Sequence, residues 1–232
     1  MKSVILIDNN GQLMRIGVIS DIHGNKVALD EVLEDMDYVD KIICVGDIIG
    51  YGPRPQECVE TVRNECEVYV QGNHDRDVAR PERYMKGSGV YEGLMHARKE
   101  LNKEQLEWVT ELDRTAVFKG YKLVHSHPEV VDRYVYPRDF GDIFSYVENE
   151  KGILLGHTHY QHAKKRSDEI VMNPGSVGQP RDGDVRAGYG VLNSDDNSYE
   201  LHRVSYNIKK TQEQIEEAGL PNKNGRRLGN GK

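Results

Sequence analysis

Short apolar runs closed by polar or glycine-rich stretches recur along the chain: Ile16 to Ser20, Ile42 to Val45, Val68 to Val70, Leu123 to Val124 and Ile153 to Leu155. Runs this short, bounded by turn residues, read as buried strands rather than helices. Helical spacing fills the gaps between the first three. After a strand over 15–20, Asn25 suits the N-cap of a helix that carries Leu29, Val32, Leu33 and Met36 on one side. A second strand over 41–45, a loop over 46–55 rich in Gly and Pro, and a helix over 56–64 repeat the unit, and a third strand covers 67–71. Strands alternating with helices of this length predict a parallel sheet core.

From 76 to 113 the periodicity becomes helical without strands. Tyr91, Leu94 and Met95 fit one helix. A second opens with Asn102 at the N-cap and Gln105 three residues on, a capping box, with Leu106, Val109 and Leu112 as its apolar side. This is expected to be a helical insertion beside the strand ends. Runs over 115–118 and 121–125, joined by Lys119-Gly120, predict a hairpin. Short strands follow over 152–155, 169–172, 189–193 and 199–205, with one helix around 140–149. The main domain is thus expected over 1–206, with a further helix in 207–222 stopped by Gly219 and Pro221. Residues 223–232 hold Lys223, Arg226, Arg227 and Lys232 and no acid, which reads as a disordered basic tail. Over 1–13, Asn9-Asn10-Gly11 is a hairpin signal, within either an extra edge strand or an extension.

Composition narrows the class. A chain of 232 residues suits one domain with a substantial core, and 37% hydrophobic against 30% charged residues describes a globular protein. The formal net charge of −7 argues against a surface built to coat nucleic acid. No apolar run approaches the ~18 residues of a membrane helix. Val4 to Ile7 is too short for a signal-peptide core, so a cytoplasmic protein without membrane contact is expected. Cys44, Cys58 and Cys66 form no C-x-x-C pair and are odd in number, which argues against a zinc ribbon or disulfide framework.

Chemistry gathers at the carboxyl ends of the expected strands. Asp21-Ile22-His23, Gly46-Asp47, Gly72-Asn73-His74-Asp75, His125 and Gly156-His157-Thr158-His159 each follow an apolar run. Ligands of open α/β folds bind outside those ends. The i, i+2 spacing of Asp21 and His23 puts both side chains on one side of an extended chain, where a carboxylate and an imidazole can chelate one cation. A carboxylate such as Asp47 has two oxygens and can join two cations ~3.5 to 4 Å apart.

In order, these segments resemble the calcineurin-like metallophosphoesterase family over about residues 15–206. The stretches Gly46 to Pro53 and Asn173-Pro174-Gly175-Ser176-Val177-Gly178 are similar to its small bacterial and archaeal phosphodiesterase branch. The resemblance implies an α/β fold, a four-layer α/β/β/α sandwich. It implies two divalent ions among Mn, Fe, Ni and Zn, with Asp21, His23 and His159 on the first, Asn73, His125 and His157 on the second, and Asp47 bridging. His74 would be the general acid, oriented by Asp75. The implied reaction is in-line attack of a dimetal-bound hydroxide on a small-molecule phosphate ester. Protein phosphatase, diadenosine polyphosphate hydrolase and non-catalytic scaffold are the alternatives of the same fold. Retention of His74 with every metal position speaks against the scaffold. Arg54, Arg76 and Arg181 are candidate phosphate cations, though each reads more readily as a solvated surface arginine. Ser126 stands where the family often has glycine, which leaves the loop after His125 open, and 173–178 reads as a supporting turn.

Overall fold

The computed structural model describes residues 14–232, so the hairpin expected around Asn9-Asn10-Gly11 lies outside the described residues. The first half runs β1 (Arg15–Ile19), α1 (Lys26–Asp35), β2 (Lys41–Cys44), α2 (Pro55–Glu65), β3 (Cys66–Tyr69), α3 (Asn73–Asp77), α4 (Gly89–Glu100) and α5 (Lys103–Thr110). It continues with β4 (Thr115–Phe118), β5 (Tyr121–Val124), α6 (Phe140–Ile143), β6 (Gly152–Leu154), β7 (His162–Arg166), β8 (Glu169–Asn173), β9 (Ala187–Asn193), β10 (Ser198–Val204), α7 (Ile208–Glu217) and α8 (Asn222–Leu228). The capping expectations are met: Asn25 Oδ1 accepts from the Ala28 N–H, and Asn102 and Gln105 cap reciprocally.

Two five-stranded sheets form, ordered β10-β9-β1-β2-β3 and β4-β5-β6-β8-β7. β1, β2 and β3 are parallel, as are β5, β6 and β8, while the outer strands pair antiparallel. Alternation sorts the side chains into layers. Ile16, Val18, Ile43, Tyr121, Leu123, Leu154, Ile170, Met172 and Leu192 fill the space between the sheets. Ile19 and Cys44 face outward under Leu29, Val32, Val59, Val62, Leu94 and Val109 of the helices. Val124, Ile153 and Val171 face the other way, under Phe140, Ile143 and Phe144. The four expected layers follow, with the carboxyl ends of all six parallel strands gathered at one rim.

The elements differ from expectation at three places. The helix around 140–149 is a single turn, Phe140–Ile143, continued by a 3-10 turn over Phe144–Tyr146. β7 was not anticipated, because its Lys164, Lys165 and Arg166 are exposed and charged, as suits an edge strand. The basic tail is ordered. α8 buries Leu228 against Ile215 and Leu220, and buried Asn224 donates to the main-chain oxygens of Tyr51 (3.0 Å) and Gly89 (3.3 Å). Charge count missed this because one apolar and one amide side chain do the anchoring. Among the described residues no helix is long and apolar enough to cross a membrane. Leu228→Ala should therefore cost about 2 kcal/mol of folding stability, read as a lower urea midpoint. An unchanged midpoint would contradict a packed α8.

Candidate metal centre

The candidate residues stand just beyond the parallel strands, Asn73, His74 and Asp75 at the start of α3 and the others in loops, and main-chain bonds lace these segments together. Asp21 and His23 donate their N–H groups to the oxygens of Gly46 and Asp47, Gly156 donates to His125, and Val177 and Gly178 donate to Ser20 and Asp21. Asn173 and Ser176 add side-chain bonds, to Gly156 (2.7 Å) and Asp21 (2.7 Å), so the expected supporting turn is present. Ser126 Oγ accepts from the Asp132 N–H (3.0 Å) and fixes the loop after His125.

The loops approach more closely than side chains allow. A Cβ on Gly46, where φ is +91°, would lie 2.6 Å from the Gly72 nitrogen, and one on Gly72 would collide with the Asp47 carboxylate. Asp21, His23, Asp47, His157 and His159 all adopt φ between 50° and 69°, a left-handed region that costs a non-glycine residue about 1 kcal/mol or more. Those five are all candidate ligands. Such strain persists only where the surroundings over-determine it.

Carbonyl partners fix the histidine tautomers. Nδ1 of His23 faces the Ile49 oxygen (3.1 Å), Nδ1 of His125 the Val45 oxygen (2.7 Å), and Nδ1 of His159 the Gln179 oxygen (2.6 Å). A carbonyl only accepts, so each Nδ1 carries the proton and each neutral ring offers a lone pair at Nε2. His157 is reversed: Nε2 donates to the Asp132 oxygen (3.0 Å), leaving Nδ1 free.

Those lone pairs converge with the two carboxylates. His23 Nε2 and His159 Nε2 are 3.0 Å apart, and Asp21 Oδ1 is 3.2 Å from His159 Nε2 and 3.8 Å from His23 Nε2. Asp47 Oδ2 lies 3.7 Å from His23 Nε2 and 3.3 Å from His125 Nε2, between two clusters, Asp21 with His23 and His159, and Asp47 with His125 and His157. Buried Asn73 Oδ1 and His125 Nε2 have no hydrogen-bond partner. Atoms bonded to one cation at about 2.1 Å are separated by roughly 3.0 to 3.4 Å, so the donor set fits a pair of divalent ions.

Electrostatics agrees. Burial drives His23 and His159 below their ordinary range, with the neighbouring His74 and Arg181 charges adding respectively. Burial and His125 do the same to His157. These three rings are neutral donors. At Asp21 and Asp47 burial pulls upward, but the surrounding histidines outweigh it and both stay ionised. His125 is the exception: burial opposes its charge, yet Asp47 and Asp21 lift it to about 10. A proton there occupies the Nε2 that a cation would use.

His74 is buried, its ring packed 4.7 Å from His23 and 4.8 Å from Tyr51, and its Nδ1 has no partner. Burial, with Arg181, His159 and His125, outweighs Asp47 and lowers it to about 4. The expected Asp75 to His74 contact is absent. Both Asp75 oxygens are taken by main-chain N–H groups of Asp47 (2.8 Å), Ile48 (2.9 Å), Ile49 (3.2 Å) and Gly72 (3.0 Å). A fully buried carboxylate takes whatever donors surround it, and here three of the four belong to the loop bearing Asp47. Asp75 thus positions Asp47, while packing orients His74.

A cleft of about 220 Å³ opens over the centre, lined by Asp47, Asn73, His74, Tyr134, His157 and Arg181 among others. Of the three arginines, Arg181 alone lines it. Arg76 is clamped between Asp77 and Asp132, and Arg54 faces Glu57 on the surface. Arg76 thereby holds Asp132, whose carbonyl sets the His157 tautomer. Tyr134, stacked on His157 at 4.3 Å, was missed because a tyrosine in a loop carries no sequence signal of its own.

Residues 14–197 match the family model described as the calcineurin-like phosphoesterase superfamily domain. The uncharacterized protein MJ0912 of Methanocaldococcus jannaschii is 36% identical, over 92% of this chain and 96% of its own. Phosphodiesterase YfcE of Escherichia coli K12 is 25% identical, over 79% and 89%. A solved metallophosphoesterase from Sphaerobacter thermophilus superposes with TM-score 0.84 at 34% identity, covering 95% of this chain and all (100%) of that one. With this fold and this rim, the chain belongs to the calcineurin-like phosphoesterase superfamily.

Proposed function

We propose that the protein is a phosphohydrolase that depends on two divalent cations and cleaves phosphate esters of small molecules. The observation that carries this reading is the pair of Nε2 lone pairs of His23 and His159 facing each other across 3.0 Å. While both rings are neutral neither can donate to the other, and a cation held between them relieves that juxtaposition. Asp21 would complete the first set, Asn73, His125 and His157 the second, and Asp47 would serve both. When bound, such a pair polarises a phosphoryl oxygen and lowers the pKa of coordinated water toward ~7. Nitrogen and oxygen donors of this kind suit manganese, iron, nickel or zinc. The phosphodiesterase named among the relatives supports a phosphodiester as substrate.

The chain's own groups do the rest. Arg181 faces the cleft and would offset phosphate charge. His74 lines the same cleft and would hand a proton to the leaving oxygen. With a free-protein pKa of about 4, His74 is neutral until phosphate charge enters beside it and draws a proton on. Asp75 would act through Asp47, by holding the N–H groups of that loop.

Three outcomes are expected. His74→Ala should cut turnover of bis(4-nitrophenyl) phosphate by about 100-fold or more, with metal content near wild type; equal turnover would remove His74 as the acid. Asp47→Asn should lose metal and activity together, by elemental analysis and assay, and retention of both would refute its shared role. Cation uptake at pH 8, below the His125 pKa of about 10, should release about one proton more from wild type than from His125→Asn. Calorimetry in buffers of differing ionisation enthalpy reads this, and equal release would remove His125 Nε2 as a donor.

A further inference from the structure

We infer that Tyr134 is a stacking platform for a planar aromatic ring carried by the substrate, so that the favoured ester bears a nucleobase or an aryl group on its phosphate. The inference rests on the phosphohydrolase reading and names a substrate class for the same cleft.

The apolar lining of the cleft over the metal centre is aromatic. Tyr51, Tyr84 and Tyr134 line it, and among the described residues Val90 is the one aliphatic side chain that does so. Two of the three tyrosines are already engaged. Tyr51 is buried, its ring 4.8 Å from those of His23 and His74, and the Arg181 guanidinium carbon lies 5.4 Å from its centre. Tyr84 is half-buried, and its hydroxyl donates to Asp77 (2.7 Å). Tyr134 is 47% exposed although it stands in the cleft wall.

This open ring is held in place before any ligand arrives. It lies within 18° of parallel to the His157 ring, with centroids 4.3 Å apart, and within 18° of parallel to Tyr136 at 5.9 Å. Tyr160 meets Tyr136 edge-on at 5.6 Å, so a row of rings leads away from a candidate metal ligand. The loop is pinned on both sides of Tyr134. Arg76 grips the Asp132 carboxylate, and Val135 is buried in the core cluster that holds Phe140 and Phe144. A side chain fixed in advance loses little freedom on binding.

An exposed ring leaves apolar surface in water that a second ring can cover. Offset ring pairs gain beyond the area they bury, which favours a flat aromatic group over an aliphatic one of similar size. One cleft of about 220 Å³ is bordered by Tyr134 and by Asp47, His157 and His159 together, so a single molecule can touch both the platform and the metal centre. That shared border points to the substrate as the occupant. Shielding His157 from water is the simpler role for Tyr134, but it would not discriminate between flat and puckered ligands.

The test titrates metal-loaded protein in a calorimeter with phosphonates, whose carbon–phosphorus bond resists hydrolysis. Phenylphosphonate is set against cyclohexylphosphonate, and the phosphonate isostere of adenosine 5′-monophosphate against that of ribose 5-phosphate. Wild type should prefer the flat-ring member of at least one pair by about tenfold, the adenosine pair assigning a nucleobase and the phenyl pair an aryl group. Tyr134→Ala should bring that ratio to about one, and Tyr134→Phe, which keeps the ring, should retain it. Wild-type ratios near one in both pairs would overturn the platform. So would a Tyr134→Ala protein that binds both members of a pair more weakly with the ratio unchanged, the result expected if the ring serves His157 alone. Should wild type hydrolyse no phosphate ester, the phosphohydrolase reading fails, and the phosphonate ratios decide the platform by themselves.

Discussion

Two imidazole nitrogens that both present lone pairs, 3.0 Å apart and out of contact with solvent, set the terms for the whole rim. Each is kept neutral by burial and by the neighbouring charges of His74 and Arg181, while a main-chain oxygen on the far side of its ring fixes the tautomer. Repulsion of that kind in a buried site has to be held in place, and the holding is distributed. Left-handed backbone at five of the ligand candidates, glycines where loops touch, and main-chain bonds between loops from both sheets all serve it. A cation turns this opposed arrangement into a stabilising one, so metal affinity and the stability of the rim are linked.

Asp75 shows how the constraint propagates. As a buried carboxylate with four N–H donors, it is the rigid pin under the Asp47 loop, and burial together with Asp47 pushes its pKa upward against those donors. Arg76 plays a similar part on the opposite side, gripping Asp132, whose carbonyl selects the tautomer of His157. Neither residue need touch a substrate for its loss to disturb the centre. Both lie within two residues of His74 in sequence, where proximity alone suggests a direct role in catalysis.

Much of this was legible in the chain. Apolar runs ending in Asp, Asn or His located the parallel strands and their chemistry, because buried strands and ligand positions both follow simple periodic rules. Asn25 and the Asn102 to Gln105 pair announced their helices, since capping is local. What stayed hidden depends on tertiary contacts. β7 is charged because it is an edge, α8 orders because Asn224 finds two carbonyls far away in sequence, and Asp75 faces a neighbouring loop instead of the ring beside it.

The most direct test of the central claim is anomalous diffraction from crystals grown with manganese. Two peaks are predicted about 3.5 to 4 Å apart, one between His23 and His159 and one against His125 and His157, with Asp47 touching both. Full data showing no cation between the His23 and His159 rings would contradict the account.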